Sequence, residues 1–324
     1  MQVYNGLRKF APPKGGTVLT IGNFDGVHRG HAGLVEAAHA LAERHQAAVT
    51  AVTFHPHPLA ILAPERAPTP LTTLAEKLVL LERLGVAGCI VLRTDRALLA
   101  EEAVDFLASL VAHCRPRALV EGPDFRFGHG RSGSITTLQE HAAQWGYEVQ
   151  VVPTVRCTDL PTNPAINSSS IRQALRDGRV AEANAMLGRP YRIMGRVGEG
   201  ARRGAGLGFP TANLERIVHL LPQEAVYGAI AQLAGGALHL AAVNIGPQPT
   251  FESAHSRVEA HLLDYHGDLR GQRMGLYFLS RLREQQKFAG PDALREQLRR
   301  DVAATQGLAP AVEKLRGARL LPVG

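Results

Sequence analysis

Cysteine is scarce in this chain of 324 residues. Cys89, Cys114 and Cys157 are scattered, odd in number and without the spacing of a metal site. That excludes a disulfide scaffold and suits a reducing compartment. Long hydrophobic runs are also missing, and no segment approaches the ~18–20 uncharged apolar residues that a membrane-spanning helix needs. The opening residues Met1-Gln2-Val3-Tyr4-Asn5-Gly6 show no apolar signal segment, so a cytoplasmic protein without a membrane partner is expected. No long polar low-complexity tract occurs, and apolar residues at 45% are ample for packed cores. The net charge is +7, yet the arginines are spread over the whole chain. No helical stretch carries a basic stripe interleaved with aromatics, so no nucleic-acid partner is expected; a positive field equally suits small phosphorylated ligands. Oligomeric state leaves no signature in the sequence.

The most informative stretch that is present is GNFDGVHRGH, residues 22–31. It follows an apolar run at 17–21 that reads as a buried strand. After it, Leu34, Val35, Ala38 and Leu41 recur at helical spacing. His28 and His31 therefore sit where a strand hands over to a helix. The glycines there let the backbone approach a ligand closely, and the free N–H groups of the helix start favour an anion. A strand end, close backbone approach and paired imidazoles together make a phosphate site. Two histidines that merely cap and pack, or hold a structural metal, are the alternative.

Up to about residue 155, further apolar runs at 48–54, 89–92, 118–120 and 149–152 alternate with helical patterns at 73–84, 100–112 and 134–145. Such alternation predicts an α/β domain built on a mostly parallel sheet covered on both faces, with ligands at the carboxyl ends of its strands. From about Tyr191 the character changes. Strand-like runs at 191–197, 226–233, 239–245, 257–263 and 274–280, separated by turn formers, predict a small barrel or sandwich. A final helix over 292–302 carries Leu294, Leu298 and Val302 on one face. The boundary is placed at Gly188-Arg189-Pro190, giving domains 1–187 and 188–324.

His28-Arg29-Gly30-His31 matches the HxGH motif of the nucleotidyltransferase superfamily. The longer string resembles the bacterial bifunctional riboflavin kinase/FAD synthetase family. Four other segments resemble loops of the same family: 53–58 (TFHPHP), 122–128 (GPDFRFG), 167–172 (NSSSIR) and 71–77 (LTTLAEK). The resemblance implies a Rossmann-like N-terminal domain that adenylylates FMN with ATP, releasing pyrophosphate. His28 and His31 would then donate to the α-phosphate, and Arg172 would neutralise the outer phosphates. Gly22, Asn23, Phe24, Asp25, Gly30, Phe54, His57, Pro58, Asp124, Phe125, Arg126, Ser168 and Ser169 would line the ATP and flavin sites. Read alone, Ser168 and Ser169 at a helix start are equally N-caps. Phe125 and Phe127 are either core or a wall for a flat ring, and Asp124 suits a ribose, a ring nitrogen or a metal. His55 and His57 lack the partners of a zinc site.

In the C-terminal half, the glycine-rich basic run 195–208 leads into Gly208-Phe209-Pro210-Thr211-Ala212-Asn213. That string resembles the family's riboflavin kinase domain, as do 244–246, 249–251 and 258–264. In an extended segment, residues i and i+2 share a side, so Thr211 and Asn213 can aim oxygens at one Mg²⁺; an ordinary turn is the alternative. Around Glu259, alternation leaves Val258, Ala260 and Leu262 on one side and Arg257, Glu259 and His261 on the other. Glu259 is then either one half of a surface ion pair with Arg257 or the base that deprotonates an alcohol. The resemblance implies the second role, with Gly208, Phe209 and Pro210 at the nucleotide. Expected substrates and products are riboflavin, ATP with Mg²⁺, FMN and FAD. Two departures stand out. Ala205 occupies the place of an expected arginine, with Arg202 and Arg203 nearby, and Asn167, Ser169 and Ser170 vary the family's serine-rich loop.

Overall fold

Four apolar segments of the N-terminal half, with an alternating one and a polar edge strand beside them, become one sheet. The computed structural model describes residues 1–198, 209–247, 257–317 and 321–323. The strands are β1 (Gln2–Asn5), β2 (Thr17–Ile21), β3 (Ala48–His55), β4 (Gly88–Arg93), β5 (Pro116–Glu121) and, after a short β6–β7 hairpin (Arg126–Phe127 and Gly133–Ser134), β8 (Glu148–Val151). Their order is β1-β4-β3-β2-β5-β8, and every neighbouring pair is parallel. All five residues of β2 are buried, as a parallel sheet covered on both faces requires. The helices α1 (Arg29–His45), α2 (Leu59–Leu62), α3 (Leu74–Arg83), α4 (Arg96–Leu99), α5 (Ala103–Cys114) and α6 (Ile135–Trp145) intervene. Helix α1 buries Val35, Ala38, Leu41 and Ala42. Leu19, Ile90, Leu107, Leu110, Leu119 and Leu138 meet in the core.

Strands β2, β3 and β4 run outward on one side of the sheet, while β5 starts again on the other side of β2. The strand order therefore reverses between β2 and β5, and such a switch point opens a crevice at the strands' carboxyl ends. The segments after β2, β3 and β5 are those carrying HxGH, PHP and DFRFG. Strand β1 has no counterpart among the expected strands. It is an edge strand with three of four residues exposed, so it carries no hydrophobic run to read.

The second half forms a closed antiparallel barrel in the order β10-β13-β12-β11-β14-β9. Its strands are β9 (Tyr191–Gly198), β10 (Ala212–Glu215), β11 (Ala225–Gln232), β12 (Leu238–Gly246), β13 (Arg257–Leu262) and β14 (Arg273–Arg283). All eight residues of β11 are buried, and β13 alternates, with Val258, Ala260 and Leu262 inward. Helices α7 (Ser168–Arg176) and α8 (Val180–Leu187) precede the barrel, and α9 (Pro291–Gln306) and α10 (Ala309–Arg316) follow it.

By its contacts the chain divides into two compact units. One holds Met1–Pro68, Leu74–Thr158 and Asn163–Ile166; the other holds Thr69–Thr73, Asp159–Thr162 and Asn167–Gly324. Helices α7 and α8 thus group with the barrel. The Leu175 carbonyl accepts from Gln223 N at 2.9 Å. Asn184 spans α8, β14 and β9, donating to the Phe278 carbonyl at 2.9 Å and accepting from Tyr191 N at 2.7 Å.

Candidate active sites

In the first unit, the turn after β2 forces the backbone into left-handed conformations at Phe24 (φ 46°), Gly26 (φ 83°) and Val27 (φ 38°). Two of these are not glycine, which is uncommon and costly. The turn delivers His28 to the N-cap of α1 in an extended conformation. His28 Nδ1 accepts from His31 N at 3.3 Å, and His31 Nδ1 accepts from His28 N at 3.3 Å. The two rings stack with centroids 3.6 Å apart and planes 17° apart. Because each Nδ1 is an acceptor, the neutral tautomer of both rings carries its proton on Nε2. Two N–H donors are thereby fixed side by side at a helix N-terminus. Gly30 is required for this: a Cβ there would meet Ile166 O at 2.9 Å and His28 Nδ1 at 3.1 Å.

The surrounding loops are equally constrained. His57 Nδ1 accepts from Leu59 N at 3.1 Å, and its Nε2 lies 3.2 Å from the Asn23 amide. A neutral His57 with Nδ1 as acceptor donates from Nε2, so the Asn23 orientation that satisfies both has its oxygen toward the ring. Asp25 is buried, as is Lys77 on α3, whose ammonium lies 3.4 Å from Thr53 Oγ1. Burial pulls the Lys77 pKa down, and the Asp25 charge opposes that shift. Phe54 packs against the core. Phe127 is buried and Phe125 half-buried, stacked at 5.3 Å, so one ring belongs to the core and the other borders the surface. Asp124 and Arg126 are exposed.

In the second unit, α7 is capped by Asn167, whose Oδ1 accepts from Ser170 N at 2.8 Å. This corrects the capping alternative for Ser168 and Ser169: both lie inside the first helical turn, and Ser169 is exposed. Arg172 is buried and donates from Nε to the Thr69 carbonyl at 3.0 Å.

The barrel carries a cavity of about 310 Å³ on the outer face of β10, β13 and β12. Cross-strand register aligns Asn213, Glu259 and Asn244 in one row. Glu259 lines the cavity and also pairs with Arg257 at 3.3 Å. The ion pair and the exposure to a binding cavity therefore coexist. Asn213 is buried, and its Oδ1 has no hydrogen-bond partner among the described residues. Thr211 and Phe209 also line the cavity, and His261 Nδ1 donates to the Pro210 carbonyl at 2.8 Å. Opposite the polar row stand Leu294, Leu298 and Val302 of α9. Gly208, Arg202, Arg203, Ala205 and the segment 249–251 lie outside the described residues.

Residues 11–163 match the FAD synthetase family, and residues 187–309 match the riboflavin kinase family. A bifunctional riboflavin kinase/FMN adenylyltransferase of Escherichia coli (strain K12) is 38% identical over 304 residues, 93% of this chain and 96% of that protein. The chain belongs to the bifunctional riboflavin kinase/FMN adenylyltransferase family. Relatives of the same name from Pseudomonas fluorescens and Haemophilus influenzae are 35% and 33% identical, each over at least 93% of this chain and 97% of its own length. A solved structure from Streptococcus pneumoniae, named a macrolide-efflux protein, superposes with a TM-score of 0.83 at 28% identity, covering 94% of this chain and 98% of that one. No helix among the described residues is long and apolar enough to cross a membrane.

For a member of this family, sequence reasoning left three features of the cavity unassigned. In the sequence Asn244 stands out only as part of the string 244–246. Gln285 binds Asn244 Oδ1 and the Ile245 carbonyl. Arg283 of β14 makes a two-pronged ion pair with buried Asp301 of α9, at 2.9 and 2.8 Å. The α9 stripe was visible, but a stripe says only that something is covered, not that the cover is a cavity wall.

Proposed function

We propose that this chain makes FAD from riboflavin in two ATP-dependent steps, one in each half. The observation that carries the reading is the contrast between the two sites: a carboxylate in a cavity at one, two fixed imidazole donors at a helix start at the other. Riboflavin presents a neutral primary alcohol, which must lose its proton as it attacks. Glu259 accepts that proton, the oxygen bonds to the γ-phosphorus, and the bond to the bridging oxygen breaks to leave ADP and FMN. The apolar face of α9 covers the ring system, and Phe209 and Pro210 border the nucleotide.

The unpartnered, buried oxygen of Asn213 fits a hard cation. Thr211 and Asn213 would hold Mg²⁺, which supplies charge neutralisation to the phosphates of ATP.

FMN, by contrast, is already an anion and needs no base. The obstacle is repulsion between two polyanions, so positioning and electrostatic stabilisation dominate. A phosphate oxygen of FMN bonds to the α-phosphorus and pyrophosphate leaves. His28 and His31 donate to the α-phosphate through Nε2. The turn Gly22, Asn23, Phe24, Asp25 and the loop residues His57, Pro58, Asp124, Phe125 and Arg126 supply the ligand-facing surface. On α7, Ser168, Ser169 and Arg172 carry hydroxyls and a guanidinium of the kind that suits anionic oxygens. Cys89, Cys114 and Cys157 are all buried free thiols, which suits the reducing cytoplasm. Incubating the purified protein with riboflavin, ATP and Mg²⁺ and separating the flavins tests the reading; FMN and then FAD are expected, no phosphorylated flavin at all overturns the kinase half, and supplied FMN that yields no FAD overturns the adenylylating half.

A further inference from the structure

A fully buried carboxyl group stands at the switch point of the parallel sheet, and the chemistry above makes no use of it. Glu121 closes β5 and is 2% exposed. Its Oε1 accepts from the backbone N–H of Ile21, the last residue of β2, at 2.6 Å. Burial drives its pKa well above the ordinary carboxylate range, with the Ile21 N–H pulling the other way. A sheet interior tolerates such a group only where it answers an unmet need.

The ladder shows the need. Strands β2 and β5 pair at Val18 with Ala118 and at Leu19 with Leu119, and the pairing ends there. On its other side β2 stays paired with β3 through Ile21 and Val52, and Gly22 N still donates to the Val52 carbonyl. Strand β5 likewise stays paired with β8 through Glu121 and Val151, with Val152 N donating to the Glu121 carbonyl. The two central strands part while each keeps its outer neighbour. Ile21 N–H, buried in the gap, has lost its strand acceptor, and the Glu121 side chain replaces it. The next residues on each strand, Gly22 and Gly122, begin the GNFDGVH and GPDFRFG loops.

We infer that Glu121 is a positioning residue for adenylyl transfer: through one side-chain bond it sets the spacing between the roots of the two loops that flank the switch-point crevice. This rests on the reading of the first unit as the adenylylating half. The reach of the side chain is what matters, since the bond must span strands that no longer pair. A glutamine has the same reach and keeps an oxygen acceptor. An aspartate keeps the acid but is one methylene too short, and a valine has no acceptor at all.

The test uses the full chain and measures KM and kcat for FAD formation from FMN and ATP, with riboflavin phosphorylation by the same preparations as the check on folding. Glu121→Gln is expected to stay within about twofold of wild type. Glu121→Asp and Glu121→Val are expected to raise the KM values for FMN and ATP about tenfold, with kcat changed much less and riboflavin phosphorylation unchanged. If Glu121→Val does not fold, Glu121→Asp decides alone. The inference is overturned if Glu121→Asp matches wild type, if Glu121→Gln is as impaired as Glu121→Asp, or if riboflavin phosphorylation falls in parallel. Wild type making no FAD at all would instead overturn the assignment of the adenylylating half.

Discussion

The two imidazoles of HxGH each spend Nδ1 on the other's backbone N–H, which leaves Nε2 as the protonated nitrogen. Losing one such donor to a developing negative charge typically costs about 10²–10³ in rate. His31→Ala is therefore expected to accumulate FMN from riboflavin and ATP while FAD formation falls by about that factor, as flavin chromatography will show. Glu259 predicts the reverse pattern. Removing a general base costs roughly 10²–10⁴, so Glu259→Ala should hardly phosphorylate riboflavin yet still convert supplied FMN to FAD. Glu121 adds a prediction about stability. Its folded-state pKa is raised, so the folded protein binds the proton more tightly than the unfolded chain. Its stability contribution is fully present below about pH 4.5 and is lost as pH rises toward the folded value. Glu121→Gln, which cannot ionise, should melt at the same temperature as wild type at acid pH and above it at neutral pH; a gap that shrinks with rising pH would refute this.

Helix α9 matters as a wall. It is tied to β14 by Arg283 and Asp301, whose side chains are 18% and 4% exposed, and Gln297 also donates to Asp301 at 2.9 Å. Removing one partner of a buried pair leaves the other charge uncompensated, at a cost of about 3–5 kcal/mol. Asp301→Ala should lower the urea midpoint of the barrel accordingly and weaken riboflavin binding, seen as less quenching of flavin fluorescence at a given protein concentration. At the start of α1 the limiting feature is space. Gly30→Ala places a methyl against the His28 ring and the Ile166 carbonyl, so FAD formation should drop while riboflavin phosphorylation persists. Periodicity showed both helices plainly, because each covers a core on one face. It could not show that α9 also faces a cavity, since burial under a ligand and burial under protein select the same residues.

At the scale of the chain, the proposed reading has two unlike chemistries use Mg²⁺ with ATP. Excess EDTA should abolish both steps, and added Mg²⁺ should restore both. The packing of α7 and α8 against the barrel through Asn184 and Leu175 gives a further expectation. A chain beginning at Asn167 should hold its barrel to higher urea concentration than one beginning at Gly188, because the second lacks the partners of Tyr191, Phe278 and Gln223.

Local pattern was enough to determine the alternation of strands and helices before the barrel, five of the six barrel strands (all but β10), and the strings that mark both sites. Runs of apolar residues at period 2 or 3.6 are properties of neighbours in sequence. The row of Asn213, Glu259 and Asn244 is not, because it depends on the register of three strands. Nor is the bond from Ile21 to Glu121, which spans a hundred residues and exists only because two strands part. Those features were decided by tertiary structure, where backbone groups must find partners wherever the fold leaves them.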